Sequence, residues 1–153
     1  MLHAGERVVI GLFVLKHRFS SEFREGKNMT NSLIVCNEGL YDSIMSLTNS
    51  GSPVDVLSYD RSLLSCIQIS NPNKLNYAVL VEDFIGYDNV YIIPRSENEG
   101  FNLTSFFSEI GTKVIVAVTH NSRYVQIYKT LGAKIVVTTK SNNDSYSWLH
   151  HIV

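Results

Sequence analysis

Residues 111–140, GTKVIVAVTHNSRYVQIYKTLGAKIVVTTK, decide the fold of this chain, because they predict a strand, a short helix and a second strand in direct succession. Residues 113–119 form an almost continuous run of apolar and β-branched side chains. A strand with one face in water alternates apolar and polar residues, whereas a continuous run is typical of a strand covered on both faces. This strand is therefore predicted to lie in the middle of the sheet.

The helix that follows has its own start and stop signals. Asn121 or Ser122 can cap it, because a side-chain oxygen there accepts a hydrogen bond from a free backbone N–H of the first turn. Gly132 can end it, since glycine adopts the left-handed conformation at little cost. Residues 133–140 are again strand-like. One face of the helix is apolar, at spacings of three and four residues: Tyr124, Ile127, Tyr128 and Leu131.

This order of residues resembles the closing segment of the GNAT superfamily of N-acetyltransferases. In that family a strand is followed by an asparagine, a helix that carries a tyrosine, a Leu-Gly pair and a further strand. Asn121, Tyr128, Leu131 and Gly132 occupy these positions here. The resemblance implies an α/β (α+β) fold with a mixed sheet. Its N-terminal half would be antiparallel, a splayed parallel strand pair and a C-terminal hairpin would follow, and helices would cover both faces.

The remaining segments are assigned from their periodicity and turn signals. Residues 54–58 are too short and mixed to assign. Helices are predicted at residues 40–47 and 102–109, and strands at residues 31–36, 63–70, 75–84, 89–94 and 145–153, the last of these in the terminal hairpin. A doubly wound parallel fold fits this assignment less well, because no crossover helix separates residues 63–70 from residues 75–84.

Composition limits the classes of function. The chain has 153 residues, room for one domain, and its 13 basic and 14 acidic residues give a net charge of -1. No basic surface draws it to nucleic acid or to an anionic membrane, so neither is expected as a partner. Cys36 and Cys66 lie in apolar runs without the spacing of a metal site, and no metal is expected. Buried free thiols fit a reducing cytosol, so a cytoplasmic location is predicted.

Residues 1–28 stand apart from the single domain predicted at residues 29–153. The apolar run of residues 8–15 is too short to span a bilayer, and a polar, linker-like stretch follows it. One interpretation is an upstream in-frame extension before Met29, and the other is an added edge strand over residues 7–15. The first is favoured, so a chain that begins at Met29 is expected to fold with nearly unchanged stability.

The resemblance implies acetyl-CoA as substrate and assigns residues to it. The cofactor would lie in the wedge between residues 90–93 and 114–118, where Ile92 and Ile93 offer backbone groups, and Asn121 would bind the pantetheine arm. Its pyrophosphate would rest on the loop that contains Gly100, Phe101 and Asn102.

The loop departs from the family pattern, which has an arginine or glutamine at its start and two small residues. Here Glu97 stands at the basic position and Asn102 at the second small one. Glu97 and Glu99 would weaken the binding of a pyrophosphate by about 1 kcal/mol each at a surface.

Two residues are the catalytic candidates. The resemblance makes Tyr128 the general acid that protonates the leaving thiolate, although the same tyrosine could be a core residue. Glu82 is the candidate base, with Asp83 and His120 as alternatives, and a solvated carboxylate at a strand end is the structural interpretation of Glu82 and Asp83. No metal spacing links the histidines, and no Ser-His-Asp or Cys-His arrangement can be proposed.

The expected function is transfer of acetyl from acetyl-CoA to an amine by direct attack. The alternative is a catalytically silent GNAT-fold protein with an interaction or structural role, such as a bacteriophage accessory or virion component, because compact proteins of this kind occur in phages. The location would then be the cytoplasm of a bacterium or of an infected host cell. The amine acceptor cannot be read from the sequence, and the choice between a monomer and a homodimer stays open.

Overall fold

The computed structural model of the chain describes residues 32–48, 54–68, 81–140, 146, 148 and 149. The N-terminal extension, residues 1–28, lies outside this part of the chain. Five strands are described: β1 Ser32–Cys36, β2 Val54–Ser58, β3 Asn89–Ile93, β4 Val114–Thr119 and β5 Ile135–Thr138. The helices are α1 Tyr41–Thr48, α2 Arg61–Gln68, α3 Glu97–Glu109 and α4 Val125–Leu131, with short 3-10 helices at Glu38–Leu40 and Ser122–Tyr124. Residues 81–84 are also helical.

The sheet is parallel throughout its described strands. Its order is β2-β1-β3-β4-β5, and each neighbouring pair runs in the same direction. This is the flavodoxin-like order of a doubly wound α/β fold. The central strands β1, β3 and β4 are almost wholly buried, as expected where helices cover both faces.

Each face of the sheet carries its own apolar core. On one face, α2, α3 and α4 pack onto the strands through side chains such as Leu63, Leu103 and Tyr128. On the other face, Ile44 of α1 packs with Tyr146 and Leu149 from the segment after β5. Helices on both faces therefore agree with the prediction.

The predicted antiparallel half of the sheet is wrong. Residues 63–70 were expected to form a strand with residues 75–84 as its hairpin partner, but Arg61–Gln68 is a helix and residues 81–84 are helical. The backbone N–H of Leu63 donates to Asp60 Oδ1 at 2.9 Å, so Asp60 caps α2. Leu63, Leu64 and Ile67 then face the core at helical spacing. Residues 69–80 lie outside the described part.

Most of the other predicted elements are found in the structure. The predicted strands at residues 31–36 and 89–94 and the strand–helix–strand unit from β4 to β5 are confirmed. The predicted helix at residues 102–109 begins five residues earlier, at Glu97, because Ser96 caps it and accepts a hydrogen bond from Glu99 N. Most of the predicted terminal hairpin lies outside the described residues. Within it, Leu149 is helical.

Candidate functional site

The carboxyl ends of β1 and β3 meet at the switch point of the sheet. The chain leaves β1 toward β2 on one side, and β3 leads to β4 and β5 on the other. In open α/β sheets, ligands bind in the crevice outside the carboxyl ends of the strands at this point. Here two clefts of about 320 and 220 Å³ border it, and both are lined by Asn37 and Arg95.

The larger of these, which we term the switch-point cleft, lies between the ends of β1, β2 and β3. Its lining carries two arginines and two carboxylates beside neutral polar groups: Asn37, Glu38, Tyr59, Asp60, Arg61, Ser62, Leu64 and Arg95. The smaller cleft extends toward β4 and is lined by Asn37, Gly39, Leu40, Pro94, Arg95, His120 and Tyr146.

Two residues that line the switch-point cleft, Tyr59 and Arg95, form a hydrogen-bonded group with Glu99. The hydroxyl of Tyr59 donates to Glu99 Oε1 at 2.6 Å and accepts from the backbone N–H of Arg95 at 2.7 Å. The Arg95 guanidinium donates to Glu99 Oε2 at 2.8 Å. Tyr59 is buried, whereas the Arg95 side chain is 66% exposed. Glu99 thus holds the Arg95 guanidinium beside the cleft, and the buried Tyr59 holds the Arg95 backbone.

The electrostatics of this group follow from its contacts. Burial, and then the hydrogen bond to Glu99, raise the pKa of Tyr59, so its hydroxyl keeps its proton and donates. Burial alone would raise the pKa of Glu99. The hydrogen bonds from Tyr59 and Arg95 outweigh it and hold that pKa below its ordinary value. Glu99 therefore stays ionised beside Arg95 at neutral pH.

On the side of β4, the polar groups bind one another. The Tyr128 hydroxyl donates to Glu97 Oε1 at 2.8 Å, and the Thr119 hydroxyl donates to Glu97 Oε2 at 2.8 Å. Tyr128 has no exposed surface. Burial, and then the bond to Glu97, raise the pKa of its hydroxyl. A tyrosine with a raised pKa that already donates to a carboxylate is a poor proton donor to a ligand.

Gly100 lies within α3 and lets Tyr128 approach the helix. A Cβ at this position would come 2.8 Å from Pro94 Cγ and into still closer contact with the Tyr128 hydroxyl oxygen. The ring of Phe101, the next residue, lies 4.9 Å from the Tyr128 ring. The glycine predicted to cradle a pyrophosphate is therefore buried in a helix and packed against a tyrosine. Asn102, the third predicted loop residue, is half-buried in the same helix.

The predicted wedge strands are neighbours, as expected, and they are paired. β3 and β4 are registered from Asn89 opposite Val114 to Ile92 opposite Ala117. Ile92 and Ile93 are buried and both pair with β1, while only Ile92 is also registered with β4. Their backbone groups are therefore largely taken up by the sheet.

Asn121 and Glu82 are the two remaining candidates from the sequence. Asn121 accepts a hydrogen bond from Arg123 N at 2.9 Å, which confirms its predicted capping role. Glu82 is exposed on the helical turn of residues 81–84 and not at a strand end. The structure brings together Gly100, Phe101 and Tyr128, while the partner of the Tyr128 hydroxyl is Glu97.

The other reactive side chains in the described part of the chain, His120 and Cys36, do not form a catalytic arrangement with each other. His120 is exposed, and its Nδ1 lies 2.5 Å from the Thr139 hydroxyl oxygen. Cys36 is a buried free thiol, as predicted, and burial raises its pKa to about 12, so it is not a nucleophile at neutral pH. The side chain of Cys66 lies outside the described part. No group of three metal-ligating side chains is found within the described residues.

The sequence interpretation missed the switch-point cleft and both Tyr–Glu pairs. The usable signal was Asp60, which precedes apolar residues at helical spacing and marks the start of α2. With α1 as the crossover from β1 to β2 and α2 leading from β2 toward β3, the three strands run parallel, and Tyr59 and Arg95 come to the same edge. Glu97 and Glu99 were predicted as loop residues beside a phosphate, so their tyrosine partners were not sought.

Comparison with known proteins finds no family model that matches the chain and no curated protein with significant sequence similarity. Among the described helices, none combines the length and apolar character that crossing a membrane requires.

Proposed function

We propose that this chain is a non-enzymatic binding domain whose recognition site is the switch-point cleft. The observation that carries this proposal is the contrast between its two Tyr–Glu pairs. The hydroxyl proposed for acid catalysis, that of Tyr128, is buried and bonded to Glu97. The open space at the carboxyl edge lies instead beside Tyr59 and Arg95.

The composition of the cleft supports recognition over chemistry. Among the described residues, its lining has charged and neutral hydrogen-bonding groups but no thiol and no histidine. General acid–base catalysis needs a group whose pKa lies near the working pH, and nucleophilic catalysis needs an activated side chain. Arginine, tyrosine with a raised pKa and an ionised glutamate bind and orient ligands without exchanging protons at neutral pH.

Acetyl transfer is the second candidate, and one observation favours it. The strands that would flank acetyl-CoA, β3 and β4, are neighbours and parallel. Binding would require that these strands separate at their carboxyl ends and that α3 expose the backbone around Gly100. The activity would also require that Tyr128 leave Glu97.

A titration followed by amide NMR separates the two candidates. Acetyl-CoA at millimolar concentration is expected to leave the amide signals of Gly100 and Asn121 unmoved and the melting temperature unchanged. A library of small polar fragments is expected to shift the amides of Asn37, Ser62 and Arg95. A ligand at one hundred times its Kd adds about 2.7 kcal/mol of stability, so acetyl-CoA binding would be detected readily. Acetyl-CoA binding at Gly100 with transfer to a polyamine or peptide amine would overturn the binding-domain proposal.

A further inference from the structure

Four charged side chains line the switch-point cleft. Two of them have a hydrogen-bonded partner among the described residues, and two do not. Asp60 is engaged, because its carboxylate caps α2 through Leu63 N. Arg95 is engaged with Glu99. Arg61 and Glu38 are exposed, and neither forms a salt bridge with any residue in the described part of the chain. Glu38 interacts with Arg95 only at longer range, so one positive and one negative side chain without a hydrogen-bonded partner among the described residues line the same cleft.

This pair of charges restricts the ligand. A simple anion would meet Arg61 but would also be repelled by Glu38 and Asp60, and a simple cation would meet the opposite difficulty with Arg61 and Arg95. A molecule with one charge of each sign can place each against its complement, which favours both its affinity and its orientation. Asn37 and Ser62 supply neutral hydrogen-bonding groups, and Leu64 supplies an apolar wall.

The size of the cleft agrees with a small ligand. At about 320 Å³ it lies near the lower end of the range of about 300–1,000 Å³ usual for ligand pockets. A nucleotide cofactor would need more room, and its phosphates would meet Glu38 and Asp60. An amino-acid-sized molecule needs less room and carries no excess charge.

Resting on the proposed binding function, we propose that the switch-point cleft binds a small dipolar molecule with one carboxylate and one ammonium group, as a free α-amino acid has. The Arg61 guanidinium donates hydrogen bonds to the ligand carboxylate, in the planar geometry that suits arginine and carboxylates. The Glu38 carboxylate accepts from the ammonium group. Leu64 contacts the ligand side chain and favours an apolar one.

The test is an amide NMR titration of the labelled full chain with each of the common α-amino acids, with acetate and methylammonium as matched single-charge probes. At least one amino acid is expected to shift the amides of Asn37 and Ser62 in a saturable manner. Its Kd is expected to be at least about tenfold lower than that of acetate or methylammonium, the size of effect that one lost charge-assisted contact gives.

Two neutral substitutions locate the site. Arg61→Gln and Glu38→Gln should each weaken binding of that amino acid at least about tenfold, whereas Arg123→Gln and Asp42→Asn, exposed charges on other elements, should leave its Kd unchanged. All four residues are exposed, so the variants are expected to keep the wild-type spectrum away from the cleft.

Three results would overturn the inference: acetate that binds as tightly as any amino acid, a Kd that neither Arg61→Gln nor Glu38→Gln changes, or no amino acid that shifts these amides. If other fragments still shift Asn37 and Ser62, the dipolar ligand is wrong and the binding function stands. If no fragment reaches the cleft, both proposals fail.

Discussion

At the carboxyl edge of the sheet, the first turn of α3 contributes two glutamates, and each accepts a hydrogen bond from a buried tyrosine. On the β4 side, Tyr128 and Thr119 together occupy both oxygens of Glu97, and none of these three residues lines either of the two clefts described above. On the β2 side, Tyr59 and Arg95 share Glu99, and the guanidinium faces solvent beside a cleft.

The difference between the two pairs shows that similar residues can be enclosed by packing or can border a cleft. A hydroxyl sealed between a glycine and an aromatic ring stabilises the junction of α3 with α4. A hydroxyl that also accepts from a loop N–H fixes the backbone of an exposed arginine beside a cleft. We term the side of Tyr128 and Glu97 the closed side, and the side of Tyr59 and Glu99 the open side. The predictions below test whether solvent is excluded from the first pair and reaches the second.

The largest effect is expected from Gly100→Ala on the closed side. In an open helix interior this change would stabilise by about 0.5–1 kcal/mol. Here the new methyl group would overlap the Tyr128 hydroxyl oxygen and Pro94, so we expect a loss of about 3 kcal/mol in the free energy of unfolding, measured by urea denaturation.

The control for this substitution is Gly86→Ala. A Cβ at Gly86 would have no heavy atom within 4 Å. We expect its effect to stay within about 0.5 kcal/mol, as for most surface substitutions. If Gly100→Ala is as mild as this control, α3 and α4 can separate, and the closed description of this side is wrong.

The next effect is expected from Tyr128→Phe, which keeps the ring and removes the hydroxyl. Glu97 loses one of its two donors in a part-buried position, so we expect a loss of about 2 kcal/mol in unfolding free energy. Tyr124→Phe is the control, because the half-buried Tyr124 makes no side-chain hydrogen bond with the described residues and should change stability by less than about 0.5 kcal/mol. Equal effects of the two substitutions would show that the Tyr128 hydroxyl has no structural role.

The elements predicted from the sequence were those whose local pattern has a single interpretation. Strand β4 is a continuous apolar run, and α4 has a cap, an apolar face and a terminal Gly132 with positive φ. The segment at residues 63–70 is different, because its apolar residues fit a period of two at one end and a helical period at the other. Asp60 decides between them, and it was not weighed as a cap.

Strand β2 could not be assigned from the sequence, because its burial depends on a contact with a residue far away in the chain. Its Asp55 interrupts the apolar pattern, yet this residue is buried and accepts a hydrogen bond from the Tyr87 hydroxyl at 2.5 Å. A buried carboxylate is tolerated only with such a partner, and Tyr87 lies 32 residues further along the chain. Strand order is likewise a long-range property, and the preference for a mixed sheet rested on the family resemblance and on the strand assignment of residues 63–70, which is wrong.

The same substitution on the open side should have a smaller effect than on the closed side. Tyr59→Phe removes the donor to Glu99 and the acceptor of Arg95 N, but water in the adjoining cleft can reach both groups. We therefore expect a loss of about 1 kcal/mol, against about 2 kcal/mol for Tyr128→Phe, in the same denaturation experiment. A loss larger than that of Tyr128→Phe would mean that the cleft does not admit water to this pair.

The smallest effect is expected from Glu99→Gln, and it should depend on pH. The folded-state pKa of Glu99 lies below its ordinary value of 4.5, so the unfolded chain binds a proton at higher pH than the folded one does. The resulting stability is fully present above the unfolded pKa and is lost as pH falls through the folded one. Because the Arg95 partner is largely exposed, the ion pair should contribute less than about 1 kcal/mol.

Glutamine keeps an oxygen that can accept from Tyr59 but removes the charge that attracts Arg95. The difference in unfolding free energy between wild type and Glu99→Gln should therefore be largest at neutral pH and shrink as the pH falls below the ordinary pKa of 4.5 and through the lower folded-state pKa, where Glu99 becomes protonated in both states. Added salt should reduce the neutral-pH difference, since exposed charges are screened. A difference that stays constant from neutral to acid pH would show that Glu99 acts on the open side only as a hydrogen-bond acceptor, with no contribution from its charge.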